Sequence, residues 1–389
     1  MFSLLNRDFT SFSPPEAEKE HGAIRFGILG PPRLREPMVL ITPAKSHPEV
    51  EVRAIAARDR GRVEAFAKKH GIPEILDDPS IDAIFIPLPN ALHYEWAARS
   101  IRAGKHVLVE KPSSDNEAEA TMLFNLPELS SSQPSPPVIL ETCHSIFHPA
   151  IHKFLSCVSP ADVVHDDLEY NYKLGGGSIM ALGTYNFAVM RMIFGDEPEE
   201  CLRCDTQVLG DGVHDRCDYT FKADFRFPNG IGEATTTLKG PILWKPSEAR
   251  VTHKEVVVPA KTLPEMQEKV LTRQVTLHGF MHAVLWHRID VKDAYVIRNR
   301  ADKKPIKKWT ESSSHKAYTY EEAGGDFSGL PGQDWWMSYR YQLETIDDQI
   351  KSRKTPYWVS GDDSIKQMRM VDMAYAKNGL ELRPTSSYR

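Results

Sequence analysis

The sequence contains little cysteine and no long apolar run. Its five cysteines are an odd number scattered over 389 residues, which is unlike the dense disulfide framework of a small secreted protein. Cys201 and Cys204 have the CxxC spacing, but no second pair completes a zinc site, so we expect two partly buried thiols and no metal. No segment approaches the length of a membrane span. These absences predict a cytoplasmic protein with no membrane partner.

The sequence also lacks a large excess of charge of either sign. Its 48 basic and 53 acidic residues give a net charge of −5, which offers no attraction for nucleic acid or for an anionic membrane. We therefore expect a small-molecule substrate and no nucleic-acid partner.

The length of the chain and its changes of pattern predict two domains after a flexible lead-in. Residues 1–22 lack the apolar run of a signal peptide and carry several acids. A chain of 389 residues exceeds a single typical core. We therefore divide the remainder into a first domain at 23–145 and a second at 146–389.

The first domain alternates short apolar runs with helical patterns, as βαβ units do. Strands are predicted at 24–30, 50–57, 81–87, 106–109 and 138–142. Helices are predicted at 60–70, 92–103 and 116–126. This rhythm predicts an α/β, Rossmann-type dinucleotide-binding domain with a parallel sheet.

The second domain has a different rhythm, with longer alternating strands separated by turns. Strands are predicted at 168–173, 219–227, 231–238, 251–258, 275–280 and 283–291. Helices are predicted at 177–194, 335–351 and 362–378. We therefore expect an α+β domain built on an open-faced, mostly antiparallel β-sheet.

The end of the first strand has the features of a dinucleotide site. Gly27-Ile-Leu-Gly30 stands where a pyrophosphate meets helix N–H groups in this fold class. Pro31 and Pro32 remove amide donors from that place, whereas Arg33 supplies positive charge. Arg58 follows a small residue after the second strand, which suits the 2′-phosphate of NADP; alternatively it is a solvated residue at a helix start. The pattern favours NADP over NAD, and the prolines leave open a site without cofactor.

Lys111 directly follows a predicted parallel strand, within Glu110-Lys-Pro112. It therefore emerges at the carboxyl edge of the sheet, where ligands bind in such folds. A lysine that is partly desolvated there has a lowered pKa and serves as an acid, a base or an electrostatic partner of a hydroxyl. The alternative is a surface lysine. Pro112 favours the functional interpretation, because an X-Pro bond fixes the chain direction and is sometimes cis.

A series of short motifs runs through the chain. They are GILG at 27–30, AARD at 56–59, IPLPN at 86–90 with LH at 92–93, AGKHV at 103–107, EKP at 110–112, FHP at 147–149, LGGG at 174–177, LGTY at 182–185, YRYQLE at 339–344 and WVSG at 358–361. Together they resemble the Gfo/Idh/MocA oxidoreductase family, and most of all its branch of dimeric dihydrodiol dehydrogenases and NADP-dependent D-xylose dehydrogenases. The resemblance extends from residue 23 to residue 384.

The resemblance implies NAD(P) at the carboxyl edge of a Rossmann sheet, a sugar-like or diol substrate between the domains, and a homodimer formed through the flat face of the C-terminal sheet. It implies that Tyr185 transfers the hydroxyl proton with help from Lys111, because a phenol is a poor base at neutral pH unless a nearby ammonium lowers its pKa. The positions in the shared motifs that are predicted to bind cofactor are Gly27, Gly30, Arg58, Pro87, Asn90, His93, Glu110 and Lys111. Arg33 is added for its positive charge.

Other aromatic and histidine residues are weaker candidates. His144 follows the last predicted strand of the parallel sheet, so we expect it on the substrate side together with Tyr185. Tyr339 opens a helix and either packs in the core or binds substrate. Three further histidines, at 278, 282 and 287, would not share one face of a strand, so no metal site is predicted.

The sequence departs from the family pattern around the expected cleft. Ala181 stands four residues before Tyr185, where the family usually carries an aspartate, and Ile146 replaces an arginine. Apolar replacements suit a larger, more hydrophobic substrate.

Three hypotheses about function follow. The first is an NADP-dependent oxidoreductase acting on a hydroxyl or carbonyl of a small organic substrate. The second is a non-redox enzyme on the same scaffold, which catalyses an isomerisation, elimination or cyclisation in biosynthetic tailoring. The third is a ligand-binding or scaffolding protein without catalytic activity.

Overall fold

The computed structural model describes residue 7 and residues 9–30, 37–56, 76–171, 177–208, 217–238, 247–260, 262–355 and 357–388. The chain forms two compact units. The first comprises Met1–His148 together with Gly329–Arg389, and the second comprises Pro149–Ser328.

The first unit contains a five-stranded parallel sheet, as the sequence predicts. Its strands are β1 (Ile24–Leu29), β2 (Val50–Ala56), β3 (Ala83–Ile86), β4 (His106–Glu110) and β5 (Ile139–Thr142), in the order β2-β1-β3-β4-β5. The apolar runs of the sequence form this sheet because its strands are covered on both faces. From β1 the chain first adds β2 on one side of the sheet and then β3, β4 and β5 on the other side. This change of direction at β1 is typical of a Rossmann fold.

The described residues of the N-terminal part of the first unit form three α-helices. They are α1 (Thr42–Lys45), α2 (His93–Arg102) and α3 (Glu117–Phe124). Helix α2 turns Ala97, Ala98 and Ile101 into the core, against Ile84 and Val107 of the sheet. The side chain of Asn116 accepts a hydrogen bond from the Glu119 amide and so caps the start of α3. The predicted helix at 60–70 lies outside the described residues.

The second unit is built on a nine-stranded, mostly antiparallel sheet. Its strands are β6 (Val163–Asn171), β7 (Glu200–Val208), β8 (Asp218–Phe227), β9 (Gly230–Thr237), β10 (Glu248–His253), β11 (Val256–Val258), β12 (Gln267–His278), β13 (Arg288–Asn299) and β14 (Pro305–His315). They are ordered β14-β13-β12-β10-β6-β9-β8-β7, and β11 pairs with β12. Among the described strand pairs of this sheet, β6 and β9 are the ones that run parallel to each other. The helices of this unit are α4 (Pro149–Leu155), α5 (Thr184–Phe194) and α6 (Tyr320–Ala323).

Some strand boundaries in the second unit differ from the prediction. The predicted strand at 251–258 is two strands, and residues 280–287 form turns before β13 rather than its first half. Strand β14 was not predicted, because it is an exposed edge strand whose residues are polar on both faces and show no alternation. Strand β7 was also not predicted; its pairing with β8 is interrupted by two irregularities.

The last two helices belong to the first unit. The sequence analysis assigned them to the second domain, at 146–389. They are α7 (Ser338–Ile350) and α8 (Gly361–Asn378). Helix α8 lies against α3: Asp372 accepts a hydrogen bond of 2.9 Å from the Glu117 amide, and Arg369 forms an ion pair with the Glu117 side chain. At Gly361 a Cβ atom would lie 2.8 Å from Cβ of Phe124, so only glycine permits this approach. These contacts join parts of the chain about 250 residues apart, which local sequence patterns do not report.

The described residues of the N-terminal segment, for which a flexible lead-in is predicted, form hydrogen bonds with the rest of the first unit. The Ser11 hydroxyl donates to the carbonyl oxygen of Trp335 at 2.8 Å. The Lys19 ammonium group donates to the carbonyl oxygens of Ala44 and His47 at 2.6 and 2.8 Å. Lysine therefore satisfies carbonyls at the end of α1, where a positive charge is favoured.

Across the parts of the chain that the structure describes, no helix combines the length and the apolar character that a membrane crossing requires.

Candidate active site

The carboxyl edge of the parallel sheet collects most of the residues that the sequence singles out. Gly30 directly follows β1 with φ +150°, and a Cβ atom there would lie 3.5 Å from the side chains of Pro87 and Leu88, just after β3. Gly27 lies inside β1, where it pairs with Ala54 and Ile84. Gly30 and Pro87 thus lie next to each other at the edge of the sheet, whereas Gly27 lies within the sheet between two neighbouring strands. The predicted cofactor residues Arg33 and Arg58 lie outside the described residues.

The segment 111–113 after β4 is held by side chains of the neighbouring strand, and we refer to it as the lysine loop. The Lys111–Pro112 peptide bond is cis, an option that the X-Pro sequence allows. The Lys111 amide donates to Oγ1 of Thr142 at 3.3 Å, and the Ser113 amide donates to Oε1 of Glu141 at 3.2 Å. Since Glu110 pairs with Thr142 in the sheet, the strand register itself places Lys111 at the carboxyl edge.

His93 supports the lysine loop from the other side. Its Nδ1 lies 2.6 Å from the carbonyl oxygen of Pro112 and its Nε2 lies 2.6 Å from that of Leu88. The ring is buried, and desolvation lowers the pKa of His93, while its two backbone contacts act in the opposite direction. Both ring nitrogens therefore face the protein backbone, which gives His93 the geometry of a support for the loop. Asn90, another predicted cofactor residue, lies half-buried in the short turn Asn90–Leu92 that precedes α2.

The predicted substrate residues His144 and Tyr339 lie against each other. His144 begins a short helical turn directly after β5, and its ring centroid is 4.1 Å from that of Tyr339 in α7. Its Nδ1 lies 2.7 Å from the Ser338 hydroxyl. His144 is buried and Tyr339 is half-buried. The structure thus brings together two candidates 195 positions apart, although their role in binding substrate stays a prediction.

Glu141 is a residue of this edge that the sequence analysis missed. Its side chain is 1% exposed in β5, where it accepts the Ser113 amide and lies 3.5 Å from Nε2 of Gln367 in α8. Burial raises the pKa of Glu141, while hydrogen bonds and the charge of Lys111 oppose that shift. Burial likewise raises the pKa of the neighbouring Cys143 thiol. A glutamate in the apolar run VILETC is the signal that would have found it.

Tyr185 lies in the second unit, as the second residue of α5, and is buried. A π-helical turn, Ile179–Gly183, precedes the helix and contains Ala181. A π-helical turn has a longer hydrogen-bonded repeat than an α-helix, so Ala181 and Tyr185 are not separated by one regular α-helical turn. Lys111 belongs to the first unit, and the proton-transfer pair formed with Tyr185 stays a prediction.

Asp218 fixes the start of the segment that carries Tyr185. Its Oδ2 accepts hydrogen bonds from the Ser178 hydroxyl at 2.6 Å and from the Ile179 amide at 2.8 Å. Asp218 is buried at the beginning of β8. The sequence analysis missed it because its partners are 39 and 40 residues away.

The cysteine pair and the histidines that were considered as metal ligands have contacts with protein groups instead. Cys201 and Cys204 lie in β7, where Sγ of Cys201 donates to the carbonyl oxygen of Arg203 at 3.2 Å and burial raises the pKa of Cys204 to about 12. His278 lies between the carboxylates of Glu248 and Asp290, at 2.8 and 3.3 Å. Among the described residues, no group of three or more potential ligands has metal-binding geometry.

Comparison with known proteins gives a family match for the part of the first unit that contains β1 to β4. Residues 24–131 match the model described as an oxidoreductase family with an NAD-binding Rossmann fold. A D-xylose 1-dehydrogenase (NADP(+)) from Haloferax volcanii is 31% identical over 221 residues, which cover 51% of this chain and 66% of that protein. The trans-1,2-dihydrobenzene-1,2-diol dehydrogenase of Mus musculus is 25% identical over 230 residues, which cover 54% and 66% of the two chains.

A dTDP-3,4-didehydro-2,6-dideoxy-alpha-D-glucose 3-reductase from Actinomadura kijaniata is 28% identical over 198 residues, or 45% of this chain and 58% of that one. The chain thus matches less than two thirds of the length of these relatives. A crystal structure of a 3-ketoreductase from the same organism, in complex with NADP and TDP-benzene, superposes with a TM-score of 0.63 and 18% identity, covering 91% of this chain and 98% of that chain. That likeness shows that both units share the fold of the reductase.

Proposed function

Because residues 24–131 place this chain in the Gfo/Idh/MocA oxidoreductase family, we propose that it is an NADP-dependent oxidoreductase. Its substrate is a small organic molecule, sugar-like, a diol or a natural product, that reacts at a hydroxyl or carbonyl group. The observation that carries this proposal is the fixed position of Lys111 at the carboxyl edge of the sheet, held through the Thr142 and Glu141 side chains.

The described part of the edge fits a dinucleotide. Gly30 offers a backbone without a side chain beside Pro87 and Leu88, so a phosphate or ribose can approach the chain closely there. Arg33 and Arg58 would supply positive charge, and a guanidinium suits the 2′-phosphate of NADP. When bound, the nicotinamide supplies the hydride acceptor or donor.

The protein residues supply binding and proton transfer. Tyr185 would move the proton of the reacting hydroxyl, and the ammonium group of Lys111 would stabilise the charge that develops on oxygen. His144 and Tyr339, whose ring centroids lie 4.1 Å apart, would contact the substrate. Three of the relatives are named as dehydrogenases or reductases of sugars or diols, which supports this substrate class.

We also propose a homodimer and a cytoplasmic location. Supporting the dimer, one face of β10, β12 and β13 carries Arg250, His278 and Asp290 in a shallow depression of about 510 Å³, so charges of both signs are available for pairing with a second copy. Supporting the location, the five cysteines are an odd number scattered over the chain, unlike a disulfide framework.

Cofactor binding tests the proposal without knowledge of the substrate. The purified protein is titrated with NADPH and with NADH in a calorimeter, and we expect saturable binding with a clear preference for NADPH. Absence of binding by both would overturn the proposal. It would leave the non-redox hypothesis, which the loss of an acid at Ala181 favours, as the one to pursue.

A further inference from the structure

Residues 383–388, which come after helix α8, lie against helices α2 and α3 of the first unit, and we refer to them as the 383–388 segment. The ring of Tyr388 is half-buried, and the guanidinium carbon of Arg99 in α2 lies 4.5 Å from its centroid. Tyr94, also in α2, meets the same ring edge-on at 6.4 Å. Both kinds of contact are attractive. The Tyr388 amide donates to the Ser386 hydroxyl at 3.2 Å, so this anchor on α2 also holds the residues before it.

Glu119 joins the 383–388 segment to the chain that follows the lysine loop. Its side chain is 2% exposed, on the first turn of α3. Oε1 accepts the Ser386 amide at 2.5 Å, and Oε2 accepts the Asp115 amide at 2.9 Å. A carboxylate has two acceptor oxygens, so it can hold two backbone amides at once. One side chain therefore links the segment to a residue four positions after Lys111.

Asn116 makes a second connection of the same kind. Its Oδ1 accepts the Glu119 amide and caps α3. Its Nδ2 donates to the carbonyl oxygen of Arg383 at 2.9 Å and to Oγ1 of Thr385 at 3.1 Å. Asn116 is 4% exposed, and a buried amide group that loses its acceptors is left unsatisfied, which is unfavourable. The position of Asn116 therefore depends on the 383–388 segment.

The chain between the lysine loop and α3 is fixed at each of the residues 113–116. Ser113 and Ser114 are fully buried. The Ser113 amide donates to Glu141, and the Ser114 hydroxyl donates to the carbonyl oxygen of Asn116 at 3.1 Å. Because consecutive residues are all held by hydrogen bonds, a displacement at residues 115 and 116 also changes the position of residue 113.

We propose that the 383–388 segment positions Lys111: by holding Asp115 and Asn116, it keeps the lysine loop in one conformation at the carboxyl edge of the sheet. This inference deepens the proposed function and rests on it, because Lys111 would act there on the reacting oxygen. Ser386 and Tyr388 are positioning residues, which act on Lys111 through Glu119 and the intervening chain. The alternative is a general contribution of the segment to the stability of the first unit.

Hydrogen exchange distinguishes positioning from general stability. Tyr388→Ala removes the anchor of the segment, and exchange is read by mass spectrometry of fragmented peptides. We expect the amides of Ser113 and Asp115 to exchange about 10 times faster than in the wild type. The Val107 amide, which donates to the carbonyl oxygen of Val138 at 2.7 Å beside the parallel sheet, should keep its rate. Unchanged exchange at Ser113 and Asp115 would overturn the proposal, as would an equal acceleration at Val107.

Two variants serve as controls for Tyr388→Ala. Leu382→Ala also removes a large side chain next to the segment, but Leu382 is 48% exposed, so exchange at Ser113 and Asp115 should equal that of the wild type. Tyr388→Phe keeps the ring and should restore the slow exchange. Fast exchange in Tyr388→Phe would contradict anchoring by the ring.

Thr385→Val covers the case in which Tyr388→Ala does not fold. Thr385 is exposed, and the substitution keeps the shape of the side chain while removing the hydroxyl that accepts from Asn116. We expect exchange at Ser113 and Asp115 to become about 3 times faster, because one hydrogen bond of the connection is lost. Wild-type exchange in this variant would overturn the proposal.

These readouts need neither cofactor nor substrate. If the protein binds no NADPH but exchange at Ser113 and Asp115 responds, the oxidoreductase proposal fails and the positioning of the lysine loop stands. If NADPH binds and exchange does not respond, the reverse holds. Where turnover is found, Tyr388→Ala should lower kcat more than it changes KM, because Lys111 would act on the reacting oxygen in the transition state.

Discussion

Nδ1 of His93 lies 2.6 Å from the carbonyl oxygen of Pro112. The other ring nitrogen lies 2.6 Å from the carbonyl oxygen of Leu88, so one side chain joins the segment after β3 to the lysine loop after β4. A neutral imidazole has a single N–H and can donate to one of these two carbonyl oxygens. Only the imidazolium form can donate to both. Burial opposes that form and lowers the pKa of His93.

His93→Ala should destabilise the first unit. The substitution leaves one or two buried carbonyl oxygens without a donor, which costs about 1–3 kcal/mol for each. We expect a loss of roughly 2–4 kcal/mol in the free energy of unfolding, measured with urea. His21→Ala, at an exposed position, should change it by less than about 0.5 kcal/mol. Equal stability of the two variants would show that the contacts of His93 contribute nothing.

Asp218→Ala should loosen the start of the segment that carries Tyr185. It removes the acceptor of the Ser178 hydroxyl and the Ile179 amide, which should cost about 1–3 kcal/mol. Hydrogen exchange of the Ile179 amide should become faster than in the wild type. Asp326→Ala, at an exposed site, serves as control. Unchanged protection of that amide would argue against this role of Asp218.

Lys111→Met and Tyr185→Phe should lower kcat without abolishing cofactor binding. In the proposed mechanism each removes a group that acts on the reacting proton, a contribution of about 10²–10⁴ in rate. Steady-state kinetics and the calorimetric Kd for NADPH separate the two effects. Full activity of either variant would remove that residue from the mechanism.

Arg58→Ala tests the choice of cofactor. If Arg58 binds the 2′-phosphate, its loss removes a charge-assisted hydrogen bond worth about 1.5–3 kcal/mol, so NADPH binding should weaken roughly 10-fold to 100-fold. NADH binding should change little. A uniform effect on both nucleotides would assign Arg58 to stability instead.

Because of the carboxyl group of Asp347, we expect the free energy of unfolding to depend on pH. Burial raises the pKa of Asp347 to about 7, although Lys351 lies 2.9 Å away. A group whose pKa is raised on folding contributes stability below its unfolded pKa, near 3.8, and that contribution is lost as the pH rises through about 7. The free energy of unfolding of Asp347→Asn, relative to that of the wild type, should therefore rise by roughly 1–2 kcal/mol from pH 4 to pH 8.

Urea unfolding at pH 4, 6 and 8 measures this difference. Glu49, which binds both Lys351 and Arg353, acts in the opposite sense: its pKa is lowered to about 2 by its hydrogen bonds with Arg353 and Lys351, so its contribution is lost only as the pH falls below 4.5. Asp205→Asn, at an exposed site, is the control. A pH-independent difference between Asp347→Asn and the wild type would refute the interpretation.

The sequence by itself determined the elements whose signals are local. The apolar runs gave β1 to β5 within one or two residues of the predicted bounds, and capping by Asn116 and Ser360 marks where α3 and α8 begin. The same runs place Lys111 at the end of a parallel strand. These features depend on periodicity and on neighbours a few residues away, which a single sequence contains.

Only the tertiary structure decided which distant groups meet. His93 supports the backbone at Pro112, Glu141 accepts the Ser113 amide, and Asp218 caps a turn 39 residues earlier. Helices α7 and α8 return to the first unit across about 180 residues of intervening chain. The physical reason is that a hydrogen bond between distant residues depends on where the whole chain brings their atoms, and neither hydrophobic periodicity nor intrinsic propensity specifies that position.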